Sequence, residues 1–161
     1  MKAVINIANP KREEIAKIIE HFVAYDIYSF ILFVSYPQYV ITRKDLFYYT
    51  TNGIDITCVN DNSKESTSSK LKNIRGSLED AFFLVYSENV SFLELDELIL
   101  SHKENDSVAT LGIYDKKMVA CLLENEVFDY ISGEMSFEKE ILERIGQDEE
   151  LNLFEKKKIL I

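Results

Sequence analysis

Glycine and proline are scarce, at five and two of 161 residues, histidine and cysteine occur twice each, and tryptophan is absent. The few glycines form neither a Walker-type loop nor a G-x-S-x-G elbow, which sets aside the P-loop phosphate cradle and the α/β-hydrolase nucleophile. Cys58 and Cys121 are far apart and make no C-x-x-C; both sit among apolar neighbours, so two buried, reduced thiols are expected. His21 falls beside a helix face and His102 near a helix end, at no spacing that suggests a metal pair, so cap or surface roles are expected for both. No apolar run approaches the roughly 20 residues of a bilayer-spanning helix; 30–34 is typical of those present.

Positive charge is also short: 18 basic against 28 acidic residues leave a formal charge of −10. Binding to nucleic acid or to an anionic membrane surface needs a basic face, so neither is an expected partner. The opening Met1-Lys2-Ala3-Val4-Ile5-Asn6-Ile7 turns polar at Asn9-Pro10-Lys11-Arg12, too soon for a secretory signal. A cytoplasmic protein is expected. What the chain does have is apolar residues, 47% of the total, enough for a sizeable core in one domain spanning 1–161.

Short apolar runs alternate with amphipathic stretches, the pattern of a mostly parallel sheet with helices on both faces. Strands are expected at 3–7, 29–35, 54–59, 81–86, 108–114 and 119–123, with one or two edge strands in 151–161. Asn9 and Pro10 suggest an N-cap and first helical residue for a helix whose Ile15, Ile18, Ile19, Phe22 and Val23 share a face. Helices are also expected at 40–49, 71–78, 126–131 and 137–145. Ser91 and Glu94 fit a capping box before Leu95, Leu98 and Ile99. Asn52-Gly53 reads as a turn, 60–69 as a polar loop, and Tyr36, Tyr39, Phe47, Tyr48 and Tyr49 as core aromatics.

Two segments carry a family likeness. One runs from Leu71-Lys72-Asn73-Ile74-Arg75 through Phe82-Phe83-Leu84-Val85-Tyr86-Ser87-Glu88 to Ser101-His102-Lys103; the other is Leu123-Glu124-Asn125-Glu126-Val127-Phe128-Asp129-Tyr130-Ile131 with Ser136-Phe137-Glu138. Together with the first strand, they resemble the sugar-phosphate nucleotidyltransferases, the pyrophosphorylase family that includes the glucose-1-phosphate cytidylyl- and thymidylyltransferases. The resemblance implies a three-layer α/β sandwich around a mostly parallel, Rossmann-like nucleotidyltransferase sheet.

It also implies a chemistry whose parts are mostly missing. Nucleotidyl transfer holds two phosphates with backbone N–H groups and cations, usually with Mg²⁺ on carboxylates. The family's glycine-rich loop after the first strand is replaced by Ala8-Asn9-Pro10, with Lys11 and Arg12 left near the spot. Its Gly-Thr-Ala-Gly corresponds to Ser66-Thr67-Ser68-Ser69, which keeps only Thr67. Glu88 stands where the family has its metal-binding Asp. Between the fifth and sixth strands, where the family carries sugar-binding segments, only 115–120 remain, read as a tight turn. The expected residual sites are therefore Lys11, Arg12 and Thr67 for a nucleotide and Glu88 for a metal. No catalytic residue is assigned, and no cofactor is expected, with Mg²⁺ only if the chain is active. The expected function is a degenerate, truncated and non-catalytic homologue, partnering another nucleotidyltransferase subunit or itself. The alternatives are a divergent active enzyme or a nucleotide-binding sensor. A C-terminal strand at 157–161 could pair across a two-fold axis.

Overall fold

The computed structural model of the protein describes residues 1–61, 64–131 and 151–155. Seven strands form one sheet in the order β3-β2-β1-β4-β6-β5-β7: β1 Lys2–Ile5, β2 Ser29–Val34, β3 Asp55–Asn60, β4 Ala81–Val85, β5 Ala109–Tyr114, β6 Lys117–Glu124 and β7 Leu151–Glu155. β6 runs against its neighbours β4 and β5, and every other pairing is parallel. Six helices accompany the sheet among the described residues: α1 Arg12–Val23, α2 Pro37–Val40, α3 Arg43–Thr51, α4 Thr67–Ile74, α5 Leu95–Glu104 and α6 Val127–Tyr130. This is the expected three-layer α/β sandwich with a mostly parallel, Rossmann-like sheet.

Each central strand alternates between two cores. Ala3, Ile5, Phe30, Leu32, Phe83 and Val85 point to the face covered by α1 and α5, while Val4, Ile31, Phe33, Phe82 and Leu84 meet α4 and α6 on the other. Both sets are buried, which is why β2 and β4 read as continuous apolar runs. Phe22 of α1 meets the rings of Phe30 and Phe83 edge-on, at 6.3 and 5.1 Å between centroids. Such pairs add about 0.5–1.5 kcal/mol each beyond the area they bury.

Order reverses at the centre of the sheet. β1, β2 and β3 succeed one another outward on one side, and β4 returns to the other side of β1, making β1/β4 the topological switch point. In open α/β sheets ligands gather outside the carboxyl ends of the strands at such a point.

Several local expectations are corrected. α1 is capped by Lys11, not Asn9, because Asn9 takes a left-handed conformation (φ 49°) that reverses the chain first. Lys11 N–H then donates to the Glu14 carboxylate at 2.9 Å. The expected helix at 40–49 is two helices, broken at Ile41 and restarted by Thr42. The Thr42 hydroxyl accepts from Asp45 N–H at 3.2 Å, while the Asp45 carboxylate accepts from Thr42 N–H at 2.9 Å. The Ser91–Glu94 box does not form. Ser91 lies in a 3-10 turn, Glu88–Phe92, where its hydroxyl donates to the Glu88 carbonyl at 3.0 Å, and α5 starts from an extended Glu94 without a side-chain cap. The helix at 71–78 begins earlier, at Thr67, and ends in a 3-10 turn, Arg75–Ser77.

The turn between β5 and β6 lies within the expected 115–120 and is tighter still, since β6 already begins at Lys117. Asp115 and Lys116 both have positive φ, 50° and 61°, the two-residue hairpin geometry. Nothing is inserted between these strands. The expected helix at 137–145, Ser136-Phe137-Glu138 and the strand at 157–161 lie outside the described residues.

Candidate functional site

The carboxyl edge at the switch point is held together by its own side chains. Leaving β1, Asn6 donates its backbone N–H to the Val85 carbonyl of β4 at 2.9 Å and its side-chain amide to the Thr67 hydroxyl at 3.0 Å. Thr67 is the first residue of α4, whose N-cap is Ser66: the Ser66 hydroxyl accepts from Ser69 N–H at 3.1 Å. Thr67 thus reaches the residue that follows β1, and its oxygen accepts from Asn6.

In the loop from β1 to α1, part of the backbone is already engaged. A phosphate cradle is a row of backbone N–H groups facing one point. Here Asn6 N–H is bonded to Val85, Pro10 has none, and Lys11 N–H is bonded to Glu14. Lys11 is exposed at the head of α1. The Arg12 guanidinium is ion-paired with Asp45 of α3. Burial pushes the Asp45 carboxyl up, but the Thr42 hydroxyl and N–H and the Arg12 charge outweigh it and hold it below the usual carboxylate value. Thr67 and Arg12 are thus each engaged by a partner of their own, Asn6 and Asp45.

Glu88 lies just beyond β4, half-buried at the start of the 3-10 turn packed on α1. α4, with Thr67, leaves toward the other face, where its Leu71 and Ile74 are buried. Among the described residues no three His, Cys, Asp or Glu side chains come together as a metal would need. Asp61, past the end of β3, is ion-paired with Lys70. Magnesium is commonly held by one or two carboxylates, with phosphates and waters supplying the rest, and Glu88 is the carboxylate found just past the end of β4.

What the edge does contain is a cavity of about 300 Å³ over the ends of β1, β2 and β3, lined in part by Ile7, Asn9, Pro10, Ser35, Tyr36 and Tyr39. Its tyrosines belong to the aromatic group expected in the core. That expectation fails: Tyr36, Tyr39, Phe47 and Tyr48 are 65%, 75%, 72% and 62% exposed, and only Tyr49 packs against the core. α2 and α3 lie outside β2 and β3 and bury mainly Val40, Leu46 and Tyr49, which leaves the other rings on the surface.

His102 is the residue that sequence reasoning placed worst. It is 3% exposed. Its Nδ1 lies 2.8 Å from the Thr110 hydroxyl and its Nε2 2.9 Å from the Glu124 carboxylate. The three span α5, β5 and β6 at the amino end of β5, opposite the carboxyl edge, beside an open polar cavity of about 500 Å³. Thr110 is fully buried, so the arrangement ties helix to sheet and presents no nucleophile. His21 is also more enclosed than expected, with its ring against Tyr25 at 5.2 Å. Burial lowers its pKa, against a hydrogen bond to the Leu93 backbone carbonyl and the charge of Glu94, which raise it. Cys121 is buried, with its thiol 3.2 Å from Met118 Sδ, and Cys58 is half-buried; neither is in a disulfide.

No protein-family model matches the sequence, and neither does any curated protein. Solved structures do match. HddC from Yersinia pseudotuberculosis superposes with a TM-score of 0.60 at 14% identity, over 96% of this chain and 89% of that one. The same protein complexed with GMP-PN gives 0.61. CMP:2-keto-3-deoxy-manno-octonic acid synthetase complexed with CTP gives 0.61 at 9% identity, over 97% of this chain and 89% of that one. At these identities the likeness is one of fold, shared along nearly the whole chain. Among the described residues no helix is long and apolar enough to cross a membrane.

Proposed function

We propose that this chain is a degenerate, non-catalytic nucleotidyltransferase-fold domain that works by binding protein. It would serve as a regulatory or assembly partner in sugar-nucleotide metabolism, beside another nucleotidyltransferase subunit or a second copy of itself. The reading treats residues 1–161 as one domain working in the cytoplasm. The observation that carries it is that two of the residues at the family's nucleotide-binding positions already have partners within the chain, Thr67 with Asn6 and Arg12 with Asp45. The exposed rings of α2 and α3 supply a surface for a protein partner.

The tyrosine-flanked cavity favours a second reading, a sensor that binds a nucleotide without turning it over. A melting screen against CTP, UTP, dTTP, GTP and ATP, each with and without Mg²⁺, separates the two. A ligand at about 100 times its dissociation constant stabilises the native state by roughly 2.7 kcal/mol. That raises the midpoint of a chain of this size by about 5–10 °C. The binding-partner reading predicts no shift with any nucleotide. A shift independent of Mg²⁺ and lost in Tyr39→Ala establishes the sensor. A Mg²⁺-dependent shift lost in Glu88→Gln contradicts the binding-partner reading and leaves a sensor or an enzyme, which turnover separates.

A further inference from the structure

The exposed face of α3 carries a basic pair ahead of an aromatic: Arg43 and Lys44, then Phe47 one helical turn on. The exposed face of α5 carries the same arrangement with the opposite charge: Asp96 and Glu97, then Leu100 at the same spacing. All six side chains are exposed, and Phe47 and Leu100 are among the large apolar side chains that the fold leaves uncovered. None of the four charged residues forms an ion pair with another described residue.

The two helices occupy opposite ends of one layer. α3 packs on β3, at one edge of the sheet, and α5 packs on β5 and β6 toward the other. Leu46 and Tyr49 of α3, and Leu95 and Leu98 of α5, reach the same core cluster on the same face. The basic patch and the acidic patch therefore lie apart and cannot satisfy each other within one chain.

The charges of α3 are also placed against its own interest. Acidic residues stabilise a helix N-terminus and basic ones oppose it, so Asp96 and Glu97 suit α5 whereas Arg43 and Lys44 disfavour α3. The chain carries a net charge of −10, and this basic pair sits at a helix terminus where local energetics would select acids.

We infer that the protein associates head to tail with copies of itself, the basic-aromatic face of α3 on one copy docking against the acidic-apolar face of α5 on the next. The inference rests on the binding reading above and names the chain itself as the partner. Charge complementarity argues for this occupant: the Arg43–Lys44 pair faces Asp96 and Glu97, with Phe47 and Leu100 shielding the pairs from water. The contact is heterologous, since it joins different patches, so each copy keeps a free α3 face and a free α5 face. Association then continues into rings or open chains. At about 0.15 M salt the Debye length is roughly 8 Å, so the general repulsion between acidic copies is screened while contact pairs persist.

The test is sedimentation velocity of the full chain in that salt, from about 1 µM to about 500 µM, the range of weak contacts. The expected result is a weight-average mass that climbs past the dimer with concentration. Two charge-reversed variants follow, Arg43→Glu with Lys44→Glu, and Asp96→Lys with Glu97→Lys, each checked by its melting curve. Each alone should stay monomeric at concentrations about tenfold above the wild-type midpoint, because like charges then face each other. Mixed in equal amounts they should associate again, since each interface in the alternating chain regains opposite charges. If a reversed variant fails to fold, Phe47→Ser and Leu100→Ser probe the same faces without charge and should weaken association. A wild-type monomer throughout, or reversed variants that associate as well as wild type, overturns the inference. Either result leaves the non-catalytic reading standing, because that reading fails on turnover or on Mg²⁺-dependent nucleotide binding and not on oligomeric state.

Discussion

Replacing His102 by leucine removes the two hydrogen bonds that tie α5 to the sheet, and the consequences differ at the two ends. Thr110 is fully buried, so its hydroxyl loses a partner at 2.8 Å and cannot find water in exchange. Leaving such a group dry costs about 1–3 kcal/mol. The Glu124 side chain is 37% exposed and can turn to solvent, so that bond contributes its net value alone, about 1 kcal/mol. The sum, about 2–4 kcal/mol, lowers the melting midpoint by roughly 6–12 °C. The stringent form of the prediction is a double-mutant cycle. Thr110→Val alone also destabilises, by leaving His102 Nδ1 unpaired. The pair His102→Leu with Thr110→Val leaves no orphan, because both partners are then apolar. Its loss should fall short of the sum of the singles by about 1–2 kcal/mol, read from urea unfolding. Singles that add to within about 0.5 kcal/mol would show that the histidine and threonine do not depend on each other, and the reasoning would fail.

Three further outcomes are expected. A Cβ added at Gly112 would sit 2.4 Å from Leu93 Cδ1 and 3.0 Å from Leu98 Cδ1, so Gly112→Val should destabilise by about 1–3 kcal/mol through overpacking, and an unchanged urea midpoint would count against that packing. Thr42→Ala removes the cap of α3 and should cost about 1 kcal/mol at pH 7. Its gap from wild type should narrow with acid: Asp45 titrates below its ordinary value of 3.8 in the folded state, so the stability it contributes is present above that value and lost as pH falls through the lower folded one. A gap constant from pH 7 to about pH 2.5 would refute the coupling. Burial raises the Cys58 thiol above its ordinary value, so alkylation of that residue in the native protein should be slower at pH 7 than that of an exposed thiol.

The sheet was legible because its signal is local. β1, β2 and β4 are covered on both faces, so each is an apolar run that needs no tertiary knowledge to find. The tight turn at 115–116 was legible for a related reason, since little sequence separates the two runs that it joins. The helix starts were less so, because capping depends on backbone conformation. Asn9 looks like an N-cap, and only its positive φ shows that the helix waits for Lys11. Ser91 and Glu94 have the spacing of a capping box, but a 3-10 turn uses Ser91 first. The aromatics of α2 and α3 were misread because hydrophobicity gives a side chain's preference and not its surroundings. These short helices at the β3 edge cover only part of the core. The burial of His102 rests on partners 8 and 22 residues away, which no sequence periodicity brings together. At the candidate site, Thr67 was singled out from its motif alone, which gave no sign of its contact with Asn6. The bonds that occupy Thr67 and Arg12, to Asn6 and Asp45, lie 61 and 33 residues away in sequence.

A nucleotidyltransferase fold kept without its chemistry, as proposed above, would leave no exchange activity. The most direct measurement is exchange of labelled pyrophosphate into nucleoside triphosphate, with purified protein, Mg²⁺ and a panel of sugar phosphates, run beside the Glu88→Gln variant. The account predicts no exchange above the protein-free control for either protein, with any sugar phosphate. Exchange by the wild type that disappears in Glu88→Gln would contradict it and make the chain an enzyme.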